Sequence, residues 1–183
     1  INFVLNADTG YVFNLSHVLY EEVITRFRSL YPQESLISGV TAVGASPTEF
    51  DASCYDHHLE IAQAHGPCKV MIMTSQALNT LDSERRRDAY FKIAEKIEVP
   101  ALVHALEPAF VPWATPFEPW LLHQLAGHEK FVGGKISTLD EPHFLYWASM
   151  CRDLGLDFIP HSGDDFGIAS AIRMGLPSLI GAG

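Results

Sequence analysis

The sequence has little of what several large classes of protein require. Its 183 residues include 12 Lys and Arg against 22 Asp and Glu, which gives a formal net charge of -10, and they contain no long basic run. Because nucleic acid binding requires a positive surface, we expect no nucleic-acid partner. No apolar run reaches the roughly 20 residues needed to cross a bilayer, so we expect no membrane segment.

Cysteine is also scarce. The three cysteines, Cys54, Cys68 and Cys151, lack the spacing of metal ligands, and this indicates a reducing, cytoplasmic setting. No glycine-rich phosphate motif follows the first apolar segment, which disfavours a dinucleotide-binding fold. The chain does not start with Met and it stops on an apolar segment, so we expect a fragment of a longer chain.

Short apolar segments are abundant, in a chain that is 48% hydrophobic. They are apolar on both faces, as buried parallel strands are, and amphipathic segments separate them. The pattern predicts strands at residues 1–5, 36–41, 68–73, 100–104, 131–135, 157–160 and 178–180. Regular alternation of strands and helices leaves an open doubly wound sheet or a (β/α)8 barrel. Seven strands favour the barrel, a single domain over residues 1–183 that is incomplete at both ends.

Capping residues mark where the predicted helices begin and end. Ser16 is predicted to cap a helix that runs to residue 30, and Ser83 is predicted to cap a later one. Capping boxes at residues 46–49 and 115–118 are predicted to open two more helices, and Gly175 to end the last.

A lysine ends the fifth predicted strand, directly after Gly133 and Gly134. In a barrel the chemistry lies where strands end, so Lys135 is predicted to enter a crevice there. The two glycines are expected to leave room for a molecule to approach. Poor access to water favours the uncharged, nucleophilic amine. The alternative is a structural lysine that pairs with Asp164 or Glu107.

Polar residues also stand at the ends of the other strands. They are Asp8, Thr9, Thr41, Thr74, Ser75, His104, Glu107, His161, Ser162, Asp164 and Asp165. One lysine among hydroxyls, imidazoles and carboxylates suits Schiff-base chemistry on a 2-oxo acid, without a cofactor. The lysine would attack the keto carbon while an acid/base group moves protons. One of the two adjacent aspartates is expected to cap the following helix.

These motifs resemble the dihydrodipicolinate synthase / N-acetylneuraminate lyase family. The resemblance rests on Lys135 after two glycines, on residues 162–165 (Ser-Gly-Asp-Asp), and on residues 7–11 followed by Leu15 and Ser16. It extends from the family's second strand to its eighth. It implies a class I Schiff-base lyase or aldolase for pyruvate or a related 2-oxo acid, sugar-derived acids included. It also implies a homo-oligomer, either a tetramer or a dimer.

The resemblance assigns a role to each matching position. Lys135 falls on the Schiff-base position, and Thr9 with Gly10 falls on the loop that binds the substrate carboxylate. Ile180 matches a position whose backbone carbonyl lines the pocket. The loop that touches sugar hydroxyls in the sialic acid lyases is matched by Ser162, Asp164 and Asp165.

Two departures from the family bear on its chemistry. His104 stands where the family has its catalytic tyrosine, and we expect its imidazole to carry protons instead. Asp8 replaces a threonine and places an anion near the expected substrate carboxylate. Two alternatives follow. One is a family member that binds a 2-oxo acid without turnover, and the other is a metal-dependent barrel hydrolase that uses His104, His161 and acidic partners.

Overall fold

The structure, a computed structural model, describes residues 2–8 and 12–179. Six strands alternate with seven helices in this part of the chain. The strands are β1 Asn2–Leu5, β2 Ser35–Val40, β3 Lys69–Ile72, β4 Ala101–Leu106, β5 Phe131–Ser137 and β6 Ile159–Ser162. The helices are α1 His17–Leu30, α2 Asp56–Ala64, α3 Gln76–Thr80, α4 Ser83–Ala94, α5 Pro119–Ala126, α6 Glu141–Asp153 and α7 Ile168–Met174. Short 3-10 turns occupy Val12–Asn14, Ala52–Tyr55 and Asp165–Gly167.

All six strands are parallel and lie in the order in which they occur along the chain. A doubly wound sheet reverses its strand order at a switch point, and no such reversal occurs among the described strands. The sheet is therefore wound in one direction, as part of a barrel is. The predicted seventh strand is represented by a single parallel bridge between Ser162 and Ser178.

The two faces of the sheet pack against different partners. On the outer face, alternate strand residues join a large core cluster with helical side chains, among them Val70, Val103, Ile136, Tyr90 and Trp147. Residues of the opposite phase, such as Met71 and Leu102, join a second cluster with Ile37 and Leu179, and this cluster also includes residues of α1 such as Tyr20. This alternation follows from the two-residue period of a strand, and it separates a helix-covered face from an inner face.

An irregularity in the pairing of β4 with β5 sets which residues of β5 face inward. Ala101 pairs with Phe131, but the next residue, Leu102, pairs with Gly133, so Val132 is an extra residue in β5. Beyond this bulge, His104 pairs with Lys135, and Lys135 also pairs with His161 on β6. Paired residues of parallel strands point to the same side of the sheet. His104, Lys135 and His161 therefore share the inner face.

Several predicted helix boundaries are confirmed. Ser16 caps α1, where its hydroxyl accepts a hydrogen bond from Leu19 N at 3.3 Å. Gly175 ends α7 in the left-handed conformation, at φ 68°.

Other predicted boundaries are wrong. Ser46 accepts hydrogen bonds from Thr48 N and Glu49 N, but this local turn does not continue, and α2 begins only at Asp56. The second predicted capping box is also wrong, because α5 starts at Pro119, where proline suits the first turn. The cap of α4 is Asp82 rather than Ser83, and α3 was not predicted.

Candidate active site

Lys135 lies inside β5, two residues before the strand ends, and only 2% of its surface is exposed. The predicted strand ended at the lysine, whereas the observed strand continues to Ser137 and β4 continues to Leu106. The backbone of Lys135 is therefore paired with a strand on each side. A side chain so placed has a fixed direction, unlike that of a flexible surface lysine.

The sequence predicted that the two glycines before Lys135 leave open space beside it, and this prediction is wrong. A Cβ on Gly133 would lie 2.3 Å from Ile159 O and 3.2 Å from His161 Cε1. Gly133 is thus required for the close approach of β6. Gly134 faces Phe158 and Val103 on the other side of the sheet. The role of both glycines is close packing around β5 rather than access for a ligand.

The amine of Lys135 donates a hydrogen bond to a carboxylate 127 residues away along the chain. Lys135 Nζ lies 2.7 Å from Asp8 Oδ1. The sequence-based alternative named Asp164 or Glu107 as the partner, and the partner is neither. The Asp8 side chain is 21% exposed, against 3% for the Lys135 side chain, so Asp8 forms the more accessible half of the pair.

A tight crossing of the chain places Asp8 over the inner face. After β1, Asn6 adopts a positive φ of 54°. The side-chain amide of Asn6 donates a hydrogen bond to Tyr20 O at 3.2 Å. A Cβ on Gly39 would lie 1.9 Å from Asn6 O, so only glycine allows this crossing. The backbone on both sides of the crossing thus fixes where the Asp8 carboxylate lies.

His104 lies beside this pair, fully buried on β4. Its Nε2 lies 3.0 Å from Ser137 Oγ and 3.9 Å from Asp8 Oδ2, and its Nδ1 has no hydrogen-bond partner among the described residues. Burial lowers the pKa of His104 well below its ordinary value, the Lys135 charge lowers it further, and Asp8 opposes both. The imidazole is therefore neutral near pH 7.

His161 occupies the other side of Lys135, on β6. Its Nδ1 donates to Ile159 O at 2.8 Å, which places the ring proton on that nitrogen. Burial lowers the pKa of His161 as well. Two neutral imidazoles thus flank the lysine, one on each neighbouring strand.

The loop after β6 uses most of its polar groups to hold the structure together. Asp164 Oδ1 accepts from Phe166 N and Oδ2 accepts from Thr138 N, both at 2.9 Å. Asp164 therefore caps the 3-10 turn Asp165–Gly167, which leads into α7, whereas α7 itself has no side-chain cap, as Gly167 precedes it. The Ser162 hydroxyl donates to the Asp164 carbonyl at 3.0 Å, whereas Asp165 is exposed. Asp164 connects the loop after β6 to the loop after β5.

A second polar network at the same edge of the sheet was only partly predicted. Glu107 accepts hydrogen bonds from Thr138 Oγ1 at 2.7 Å and from His143 Nδ1. Trp147 Nε1 donates to His143 Nε2 at 3.0 Å, so the proton of His143 is on Nδ1. His143 was missed because it lies on α6, where helical spacing alone indicates neither a site nor a partner. Three of the expected site residues, Thr9, Gly10 and Ile180, lie outside the described residues.

Two absences concern the part of the chain that the structure describes. Within residues 2–8 and 12–179, no three His, Cys, Asp or Glu side chains are grouped so that they could hold a metal ion. His104 and His161 bond instead to Ser137 and Ile159 O. In the same residues, no helix has both the length and the apolar character required to cross a bilayer.

Comparison with solved structures identifies the fold. YagE of E. coli K12, described as belonging to the dihydrodipicolinic acid synthase family and solved with pyruvate, matches 98% of this chain and 57% of its own, with a TM-score of 0.82 and 11% identity. Dihydrodipicolinate synthase from Acinetobacter baumannii, complexed with pyruvate, matches 99% and 58%, with a TM-score of 0.79 and 21% identity. N-acetylneuraminate lyase from Mycoplasma synoviae matches 98% and 56%, with a TM-score of 0.73 and 17% identity.

The chain therefore has the fold of the dihydrodipicolinate synthases and N-acetylneuraminate lyases, and the resemblance seen in its sequence is confirmed at that level. It spans 56–58% of the length of these structures. No protein-family model and no curated protein matches it. At identities of 11–21%, shared structure identifies a fold, and the reaction has to be argued from the residues of the site.

Proposed function

We propose that the protein is a divergent member of the dihydrodipicolinate synthase / N-acetylneuraminate lyase family. In this proposal the six-stranded sheet is part of a (β/α)8 barrel. The enzyme is a lyase or aldolase that acts on a 2-oxo acid, such as pyruvate or a sugar-derived acid, through a Schiff base on Lys135. The carrying observation is the buried Lys135 amine on the inner face of the sheet, beside one carboxylate and two neutral imidazoles.

The geometry supports a nucleophilic role for Lys135. A buried lysine is rare, and this one points to the inner face at the carboxyl end of its strand, where parallel α/β folds bind their ligands. Two solved structures with the same fold contain pyruvate. In the proposed reaction, His104 lies next to the ion pair of Lys135 and Asp8, where protons are exchanged. Thr9, Gly10 and the Ile180 carbonyl bind the substrate.

The loop after β6 is proposed to border the distal part of the substrate. Asp165 is exposed there, while Ser162 and Asp164 fix the shape of the loop. We further propose that the protein acts as a homo-oligomer, a tetramer or a dimer, in the cytoplasm.

Trapping with borohydride tests the proposal directly. Borohydride reduces a Schiff base to a stable amine, so treatment in the presence of pyruvate should add the reduced adduct to Lys135, as mass spectrometry of peptides can show. Lys69, Lys92, Lys96 and Lys130 serve as internal controls within the same digest. An unmodified Lys135, under conditions that trap the Acinetobacter baumannii enzyme, would contradict the proposed function.

A second candidate function is supported by the ion pair itself. Asp8 holds the Lys135 amine at 2.7 Å, and an ammonium group so paired is not a nucleophile until it loses a proton. A protein that binds a 2-oxo acid without turnover would show heat of pyruvate binding by calorimetry. It would show no Schiff-base adduct and no cleavage of any member of a panel of sugar acids.

A further inference from the structure

We propose that Asp8 is the acid/base catalyst of the Lys135 site. This inference rests on the proposed function, because it assigns the proton transfers of the Schiff-base reaction. The observation behind it is the hydrogen bond of 2.7 Å between Lys135 Nζ and Asp8 Oδ1. The carbonyl carbon that bonds to Nζ, and the oxygen that this carbon carries, will lie within a few ångströms of the same carboxylate, the distance at which general acid/base catalysis operates.

The chain after β1 fixes this carboxylate in place. The positive φ of Asn6, its hydrogen bond to Tyr20 O and the close crossing at Gly39 determine where Asp8 lies. With 21% of its side chain exposed, Asp8 can also exchange protons with solvent. A proton carrier needs both properties, since it must hold its position during the reaction and recover its proton between turnovers.

The neighbouring ionisable groups are less suited to the task. His104 Nε2 lies 3.9 Å from Asp8 Oδ2, beyond hydrogen-bond distance, and it contacts Ser137 instead. Burial lowers the pKa of His104, which makes it a weak base. Glu107 is already bonded to Thr138 and His143. Among the described residues, Asp8 is the acid within hydrogen-bond distance of the amine.

The proton transfers balance with Asp8 as the sole carrier. The carboxylate takes a proton from the ammonium group, the freed nitrogen lone pair bonds to the carbonyl carbon, and the carbonyl oxygen takes that proton. Asp8 then accepts a second proton from nitrogen and gives it to the hydroxyl group, which leaves as water while the C=N bond forms. The net change converts ammonium and carbonyl into iminium and water, and the carboxylate is regenerated. Asp8 next removes a proton from the adjacent carbon, which gives the enamine.

Deuterium exchange at the methyl group of pyruvate measures this last step. The purified protein is incubated with pyruvate in D2O, and NMR follows the exchange, while borohydride trapping follows Schiff-base formation separately. Four chains are compared: wild type, Asp8→Asn, Asp8→Glu and Asp157→Asn. The last variant is the matched control, because it removes an exposed carboxylate outside the site. Far-UV circular dichroism and thermal unfolding confirm that each variant is folded.

We expect Asp8→Asn to lower the exchange rate by about 100-fold or more, the usual contribution of a general acid/base. Lys135 should still be trapped, although more slowly, and Asp8→Glu should recover part of the exchange because it restores a carboxylate. Asp157→Asn should behave as wild type.

Three results would overturn the inference. If wild type is trapped and Asp8→Asn exchanges at the wild-type rate, only the role of Asp8 is wrong. If Asp8→Asn is trapped faster and exchanges normally, Asp8 merely holds Lys135 in an inert ion pair. If wild type neither traps nor exchanges, the proposed function fails and the inference fails with it. Should Asp8→Asn not fold, the Asp8→Glu variant decides, since a displaced carboxylate must still change the exchange rate.

Discussion

Two buried histidines of this protein have opposite surroundings. His104, on the inner face of the sheet, contacts Ser137 and lies near the charges of Asp8 and Lys135. His58, on α2, stacks on the ring of Tyr20 with centroids 3.8 Å apart and planes 5° apart. Neither nitrogen of His58 has a hydrogen-bond partner among the described residues. The inner face therefore concentrates interacting charges, whereas the outer layer buries a polar ring in an aromatic contact. The first arrangement suits chemistry and the second suits packing.

The largest effect is expected at the lysine. In Lys135→Met, trapping by borohydride with pyruvate should be lost entirely and deuterium exchange should fall to background, because the nucleophile is gone. The methionine fills a similar space, so the far-UV circular dichroism spectrum should not change. Persistent trapping on another lysine would place the reaction elsewhere.

Acid should destabilise the protein because His58, the buried histidine on α2, becomes protonated on unfolding. Burial, with His17 and His57 adding to it, lowers the pKa of His58 to about 4, against about 6.5 in the unfolded chain. Between these values the unfolded chain binds more protons, so stability is present above about pH 6.5 and is lost as pH falls toward 4. From pH 7 to 5 this residue should lower the free energy of unfolding by about 2 kcal/mol, as urea titrations at each pH can measure.

His58→Phe should remove that part of the pH dependence, because phenylalanine retains the stacking on Tyr20 and does not titrate. A loss in acid of at least similar size should remain, since burial also lowers the pKa of His104 and His161. An unchanged slope in the variant would show that His58 does not contribute. Schiff-base trapping at pH 7 should be the same as in wild type.

Tyr20→Phe should lower the free energy of unfolding by a smaller amount. The Tyr20 hydroxyl donates to Gly39 O at 2.8 Å inside the protein, and its removal leaves that carbonyl without this donor. We expect the free energy of unfolding to fall by about 1–2 kcal/mol in urea titrations. Tyr31→Phe, at the exposed tyrosine that follows the C-terminal end of α1, is the control and should have almost no effect.

The smallest effect is expected in the loop after β6. Asp164→Asn replaces one of two acceptor oxygens with a donor, so one of the hydrogen bonds from Thr138 N and Phe166 N is lost. Thermal unfolding should show a loss of about 1 kcal/mol, typical of a helix cap. If substrate affinity fell far more than stability, Asp164 would be a substrate contact as well as a cap.

The sequence predicted what depends on local pattern. Six apolar segments matched strands, the number of predicted strands favoured a barrel, whose strands follow in chain order, and Lys135 was correctly placed near the end of the fifth predicted strand. The resemblance to the family was confirmed at the level of fold. Each of these features is set by residues close together along the chain.

The sequence could not predict what depends on contacts between distant segments. Asp8 and Lys135 are 127 residues apart, and nothing local to either residue indicates the other as its partner. The room expected beside Gly133 is filled by β6, which sequence position alone does not reveal. The turn at Ser46 matched a helix-capping pattern, yet no helix begins there, and the next helical turn is the 3-10 turn Ala52–Tyr55, which Asp51 caps.

The extra residue in β5 has a consequence for how the lysine came to face inward. Phe131 faces the helices and Gly133 faces the interior, and the bulge at Val132 allows both. Side chains of a strand alternate sides, so the direction of Lys135 depends on whether the count from Phe131 is odd or even. If the strand kept Val132 but lost the bulge, Lys135 would lie on the same side as Phe131 and its amine would turn toward the helices, whereas deletion of Val132 would leave Lys135 facing inward. An extra residue that a bulge absorbs therefore preserves the site, and the same extra residue in a regular strand would abolish it while every side chain that forms it stays the same.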